Sequence, residues 1–232
     1  MAVTRDVGAV QLGIRLHGVS PPVTRRLVIA EQTTLGQLHG ALQVAFGWSN
    51  DHFYTFQIRG WQFGDRARAW ELASGGGVDI PLAAFGFQIG EPFRYQYNLL
   101  VPWEIDCRVE SRCLISADQP VTCLAAQGDP PNEDLAGPEA YPVWLEESSP
   151  SWAVHQIEAL VDEDLDDDQF RAEAQEILSK ARLGRPTRRA IDERLRQLPQ
   201  CAWDAGSIYE NKGPADYRGC IRRGDDGGDR RD

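Results

Sequence analysis

No apolar stretch in this chain approaches the ~20 residues needed to cross a bilayer. The opening MAVTRDVGAV has no apolar h-region, so a secretory leader is not expected either. Cysteines are few and irregularly spaced, at positions 107, 113, 123, 201 and 220. An odd count without a C-x-x-C pair argues against a disulfide framework and against a zinc knuckle, and for a reducing, cytoplasmic setting. A P-loop, a dinucleotide fingerprint, a nucleophile elbow and an H-E-x-x-H helix are also missing, so neither a cofactor nor a metal is expected. Basic side chains are outnumbered, 24 to 35, which leaves a net charge of −11. That field repels phosphates, and nucleic-acid binding would need a local basic patch working against it.

What is present suffices for a core: 42% hydrophobic and 9% aromatic residues over 232 positions, a length for one or two domains. In QLGIRLHG, residues 11–18, Leu12, Ile14 and Leu16 share one face while Arg15 and His17 take the other, as in a half-buried strand. Pro21 and Pro22 belong in the following connection, because proline cannot donate to a ladder. A second strand turns Leu27 and Ile29 inward. Thr33-Thr34 then offers an N-cap to a helix over 34–46, and Gly47 suits its C-terminal end. Further strands are expected at 52–58, at Trp61–Phe63, from Phe93 through Tyr97, and from Trp103 through Val109. A loop over 65–79 and a short helix or turn near 81–85 lie between them.

These patterns predict an α+β fold: a curved, mostly antiparallel sheet with one packed helix, an α/β roll, followed by a C-terminal helical segment. The roll is expected over 8–118. A proline-rich, aperiodic crossover packing on it should span 119–150, a helical extension 151–200, and a mostly flexible tail 201–232. The extension's helices are placed at 152–161, 167–182 and 187–198.

Four blocks stand in a distinctive order: GVSPPVTRRLVIAEQTTLGQLHGALQVAFGW, HFYTFQIRGWQFGD, FRYQYNLLVPWEIDCRVE and CLAAQGDPPNEDLAGPEAY. Together, over about residues 10–165, they resemble the plasmid open-reading-frame-three-like family, passenger proteins of plasmids and insertion elements. The resemblance implies a roll core followed by helices, and an accessory role on a mobile genetic element. One block departs from the family pattern, which runs Asp-Phe-Gly-Asp-x-Trp-x-His after the Tyr-x-Tyr strand. Here Asn98, Val101 and Ile105 replace the two carboxylates and the imidazole. Metal ligation needs anionic or imidazole donors, which these three do not supply.

Three readings of function follow. The first is a non-enzymatic accessory protein that binds a protein partner or itself, through a sheet edge or the aromatic set Trp48, Tyr54, Trp61 and Trp103. The second is an enzyme or metal-binding protein with a reduced polar site at His52, Glu133 and Asp134, with Arg25 or Arg26 for an anionic substrate. Against it stands a structural role for each group: His52 bonded into the sheet, and Glu133 or Asp134 capping a turn in a proline-stiffened loop. The third is a DNA-associated protein using Arg182, Arg185, Arg188 and Arg189, which the net charge disfavours. Cys107 reads as a small buried hydrophobe. The acidic run over 158–168 reads as a solvated face whose Asp166–Asp168 suit a helix N-terminus.

Overall fold

Alternation along the chain builds the first hairpin. Strand β1 (Asp6–Leu16) pairs antiparallel with β2 (Thr24–Ala30), with Leu12 opposite Leu27. Leu12, Ile14, Leu16, Leu27 and Ile29 are all buried, and Pro21 and Pro22 lie in the connection. The computed structural model describes residues 5–64, 77–163, 165–181 and 187–197.

Helix α1 (Leu35–Phe46) starts at Thr34, whose hydroxyl accepts the Gln37 N–H at 3.2 Å while the Gln37 side chain accepts the Thr34 N–H at 2.9 Å. This reciprocal box satisfies two donors that a helix start would otherwise leave open. The next donors, Leu35 N–H and Gly36 N–H, go to the carbonyls of Ile80 and Val78. At the other end Gly47 takes φ 72°, a left-handed conformation that costs glycine nothing and ends the helix.

Strands β3 (Tyr54–Ile58) and β4 (Trp61–Gly64) form a hairpin. Both turn residues, Arg59 and Gly60, have positive φ, matching the twist of a two-residue loop. A short helix α2 (Leu82–Phe85) precedes β5 (Pro92–Tyr97), β6 (Trp103–Ser116) and β7 (Val121–Gln127). Every pairing is antiparallel, in the order β4-β3-β5-β6-β1-β2-β7, so the sheet stays open. Register shifts at Gln11/Leu12 and Arg26/Leu27 mark bulges, which bend the strands and supply the curvature. The buried sides of the strands and of α1 share one core.

The expected α+β roll followed by helices is therefore observed, with corrections past residue 119. Residues 121–127, read as part of an aperiodic crossover, are an edge strand on β2. Its alternation is masked because Val121 and Cys123 are buried before the bulge opposite Arg26 shifts the register, and Ala126 packs on the core only after it. After a 3₁₀ turn at Pro138–Ala140 comes an unforeseen helix α3 (Tyr141–Glu147). The remaining helices are α4 (Pro150–Leu160), α5 (Asp167–Lys180) and α6 (Arg188–Gln197), close to expectation. Asp166 caps α5 through a second reciprocal box with Gln169, with Asp167 and Asp168 in the first turn. Helix α6 returns to the roll: Ile191 and Leu195 are buried against β7 and α1. The expected 65–79 loop falls largely, and the 201–232 tail wholly, outside the described residues.

Candidate functional site

The proline-rich segment is ordered, and its anchor is Glu133. The Glu133 side chain is buried beneath the loop that follows α1. One carboxylate oxygen accepts the Ser49 N–H at 2.7 Å and the Ser49 hydroxyl, and the other accepts the Tyr97 hydroxyl at 2.5 Å. Its main-chain carbonyl accepts Trp103 Nε1–H at 3.0 Å and the Asn98 amide at 3.4 Å. Two residues earlier, the Pro131 carbonyl accepts Trp48 Nε1–H at 3.0 Å. Three separate pieces of the roll thus grip one short stretch: the 48–49 turn, the end of β5 and the start of β6. Burial, reinforced by the Glu133 hydrogen bond, pushes the Tyr97 phenol well above the ordinary tyrosine range. Tyr97 therefore stays a donor, which is what a carboxylate partner requires.

At the rim of this latch, His52 Nε2 meets Asp134 Oδ1 at 3.0 Å, and the His52 N–H points to the Tyr97 hydroxyl at 3.3 Å. Asp134 is largely exposed and His52 partly so. The turn cap expected from Glu133 or Asp134 belongs instead to Asn132, whose side chain accepts the Asp134 N–H at 3.1 Å. The three residues singled out in sequence do converge, but with unequal duties. Both Glu133 oxygens are engaged from within the fold, whereas His52 and Asp134 keep access to solvent. Among the described residues, no group of three or more His, Cys, Asp or Glu side chains is arranged to hold a metal ion.

The other candidates do not join them. Arg25 and Arg26 alternate, so they point to opposite sides of β2. Arg25 is buried, donating to the carbonyls of Ala45 at 2.7 Å and Gln127 at 2.8 Å, with its guanidinium over the Phe46 ring. Burial lowers its pKa to about 10, against the pull of Cys123, Asp129 and Tyr141. It ties together β2, α1 and the end of β7. Arg26 is exposed and grips Glu110 at 2.6 Å. Of the aromatic set, Trp48, Tyr54 and Trp103 are core residues, and only Trp61, 58% exposed, is open to a partner. Aromatic bulk that reads as contact surface in sequence is here used for packing. Arg188 and Arg189 are exposed at the start of α6, while Arg182 and Arg185 lie outside the described residues. Cys107 is buried, as expected, and burial pushes its thiol far up; Cys123 is also buried and Cys113 exposed.

Sequence reasoning passed over the layer beneath the latch. His39, on the buried face of α1, stacks flat on Tyr54 with ring centroids 3.6 Å apart. Its Nδ1 meets the Tyr95 hydroxyl at 2.7 Å and its Nε2 meets the Asn50 side chain at 2.6 Å. Gln43 closes the circuit, donating to Tyr95 at 2.9 Å and accepting the Asn50 N–H at 3.1 Å. The Asn50 Oδ1 can only accept, so Nε2 carries the proton, and a neutral imidazole then accepts the Tyr95 hydroxyl at Nδ1. The ring of four fixes Asn50 at φ 68°, and Asn98 across the site stands at φ 56°. Asparagine is the non-glycine residue that enters the left-handed region most readily, and both positions use one. The available signal was positional: His39 lies four residues after Leu35 and three before Leu42, on the apolar stripe.

The class these features define is an open antiparallel α+β roll with a proline-rich segment latched over the end of its one long packed helix. By sequence, the chain belongs to the family described as plasmid pRiA4b ORF-3-like proteins, matched over residues 8–174. It is 32% identical over 141 residues to "Uncharacterized protein y4hQ" of Sinorhizobium fredii (strain NBRC 101917 / NGR234), an alignment covering 59% of this chain and 71% of the relative. Its fold resembles the crystal structure of a protein of unknown function, MM3350, from Methanosarcina mazei Go1. That likeness has a TM-score of 0.57 at 18% identity, covering 78% of this chain and 92% of the other. No helix among the described residues is long and apolar enough to cross a membrane.

Proposed function

We propose that this protein is a non-enzymatic accessory factor of a plasmid or other mobile element, and that it binds a protein partner at the latched end of its sheet. The observation that carries this reading is Leu100, 92% exposed in the β5–β6 connection. Val101 and Phe53 are exposed with it, and the Phe53 carbonyl accepts the Asn98 N–H at 2.9 Å, which sets the two loops side by side. Isolated apolar residues on a surface are ordinary, but a cluster on a rigid base suits recognition. Val101 stands where the family pattern carries a carboxylate, so this rim has become more apolar than the pattern implies. The buried polar groups beneath serve the fold, holding the loops that present the cluster.

The test is affinity capture from the native host on wild-type protein and on Leu100→Asp. A discrete polypeptide retained by the first and lost from the second is the expected result. Equal retention by both would remove the rim from the reading. One observation favours a second reading: the 3.0 Å His52–Asp134 contact, with the imidazole partly open to solvent, has the reach of a general base and its orienting carboxylate. Substrate turnover that disappears in His52→Ala while the protein stays folded would favour it over partner binding.

A further inference from the structure

Helix α5 has no fully buried side chain along its 14 residues, although helices in proteins owe most of their stability to a packed apolar face. Phe170, Ala174 and Ile177 are half-buried, and α5 leans chiefly on α4. Helix α4 in turn buries Ala153 and Leu160, and α5 is the neighbour it contacts most. The short connection makes the two helices antiparallel. At about 100° per residue, Val154 and Val161 lie a quarter-turn from the Ala153–Leu160 stripe, and Leu178 lies a quarter-turn from Ile177. In an antiparallel pair these two offsets turn to the same side. Val154, Val161 and Leu178 are 56%, 70% and 46% exposed. On that geometry they line one side of the seam groove between the two helices, and their exposure leaves them uncovered by any described residue.

The occupant is set by charge. Residues 141–181 carry eleven acidic and two basic side chains, so this span holds most of the chain's net −11. Glu158 stands one turn from both Val154 and Val161, and Asp167 and Asp168 border the α5 side, where Arg171 is already paired with Asp168. A second copy would bring the same negative rim against itself. We propose that the α4–α5 groove docks a basic amphipathic helix of a partner protein, its apolar stripe on Val154, Val161 and Leu178 and its lysines or arginines on the acidic rim. The inference shares with the proposed function only that the partner is a protein; the surface is a separate one.

The probe is a fluorescent amphipathic Leu/Lys peptide of about 18 residues, long enough to lie along both helices, compared with a scrambled peptide of the same composition. Binding is read by anisotropy and peptide helicity by circular dichroism, with the full chain at about 50 mM salt, where surface charge is weakly screened. The expected result is tighter binding of the amphipathic peptide, with induced helicity, and a roughly ten-fold loss in the charge-neutral variant Val154→Gln/Leu178→Gln. Both replaced residues are exposed, so the variant should keep its fold, checked by its melting curve. Equal binding of the scrambled peptide, or no loss in the variant, would overturn the proposal. So would a wild-type dimer that the variant dissociates, because the groove would then be filled by a second copy. Leu100→Asp should bind the peptide normally, so a failed groove and a failed rim give different outcomes.

Discussion

At Glu133 one buried carboxylate accepts from the Ser49 main chain, the Ser49 hydroxyl and the Tyr97 phenol. All three are donors, and only an acceptor at both oxygens satisfies them. Glu133→Gln puts an amide N–H against either Ser49 or Tyr97, so a change of a single atom should cost about 2–3 kcal/mol, the scale of hydrogen bonds to a charged group. The expected readout is a lower thermal midpoint, with faster hydrogen exchange confined first to the 48–53 loop and the 128–137 segment. Asp134→Asn, at the exposed rim, should leave the midpoint nearly unchanged, as exposed charge contacts contribute little. His39 belongs to the same scale: its two ring nitrogens are both engaged, so it holds Asn50, and through Asn50 the turn that carries Ser49 and His52.

Among elements, α6 returns to the roll from farthest along the chain. It follows residues outside the described set, yet it seals a weakness at the sheet's edge. Among the described residues, strand β7 has no strand neighbour on its outer side, and an open edge invites pairing with another chain. The Cys123 N–H is taken by Asp192 Oδ1 of α6 at 3.0 Å, while Arg196 of the same helix holds the other oxygen at 2.7 Å. Ile191 and Leu195 bury beside it. Asp192→Ala leaves a buried N–H without its acceptor and should cost about 1–3 kcal/mol. The Cys123 amide should exchange faster in that variant, and aggregation on heating should rise. A variant with an unchanged Cys123 exchange rate would show that α6 does not seal the edge.

On the scale of the whole molecule, the core is rich in groups that must keep their protons. Burial raises the pKa of Tyr95 and Tyr97 above the ordinary value of 10.0, and that of Cys107 above 9.0. In each case the folded chain holds a proton that the unfolded chain releases, so the stabilisation is complete below the ordinary values and is lost as pH rises beyond them. Arg25 acts in the opposite sense, since burial lowers its value to about 10 and its charged form is disfavoured in the fold below that pH. Burial raises the Cys123 thiol as well, so four groups oppose one. The urea midpoint should therefore hold steady near about pH 8 and fall progressively toward about pH 11. A midpoint that stays flat across that interval would mean that the core ionises without unfolding.

Elements whose signal is local were legible in the sequence. Alternation located β1, β2, β3, β5 and β6, Thr34 and Gly47 bounded α1, and Asp166–Asp168 marked the start of α5, because strand periodicity and helix capping are written in neighbouring residues. The sequence also brought His52, Glu133 and Asp134 forward as a set. Tertiary structure alone decided what each one does. Val121–Gln127 became a strand because β2 lay beside it, and its short half-alternation could not announce that. Trp48, Tyr54 and Trp103 went inside, and Arg25 with them, because a residue's burial depends on what the sheet's curvature brings over it. The duties of Ser49, Tyr97 and His39 depend on partners between 36 and 84 positions away in the chain, a separation at which sequence spacing carries no geometric information.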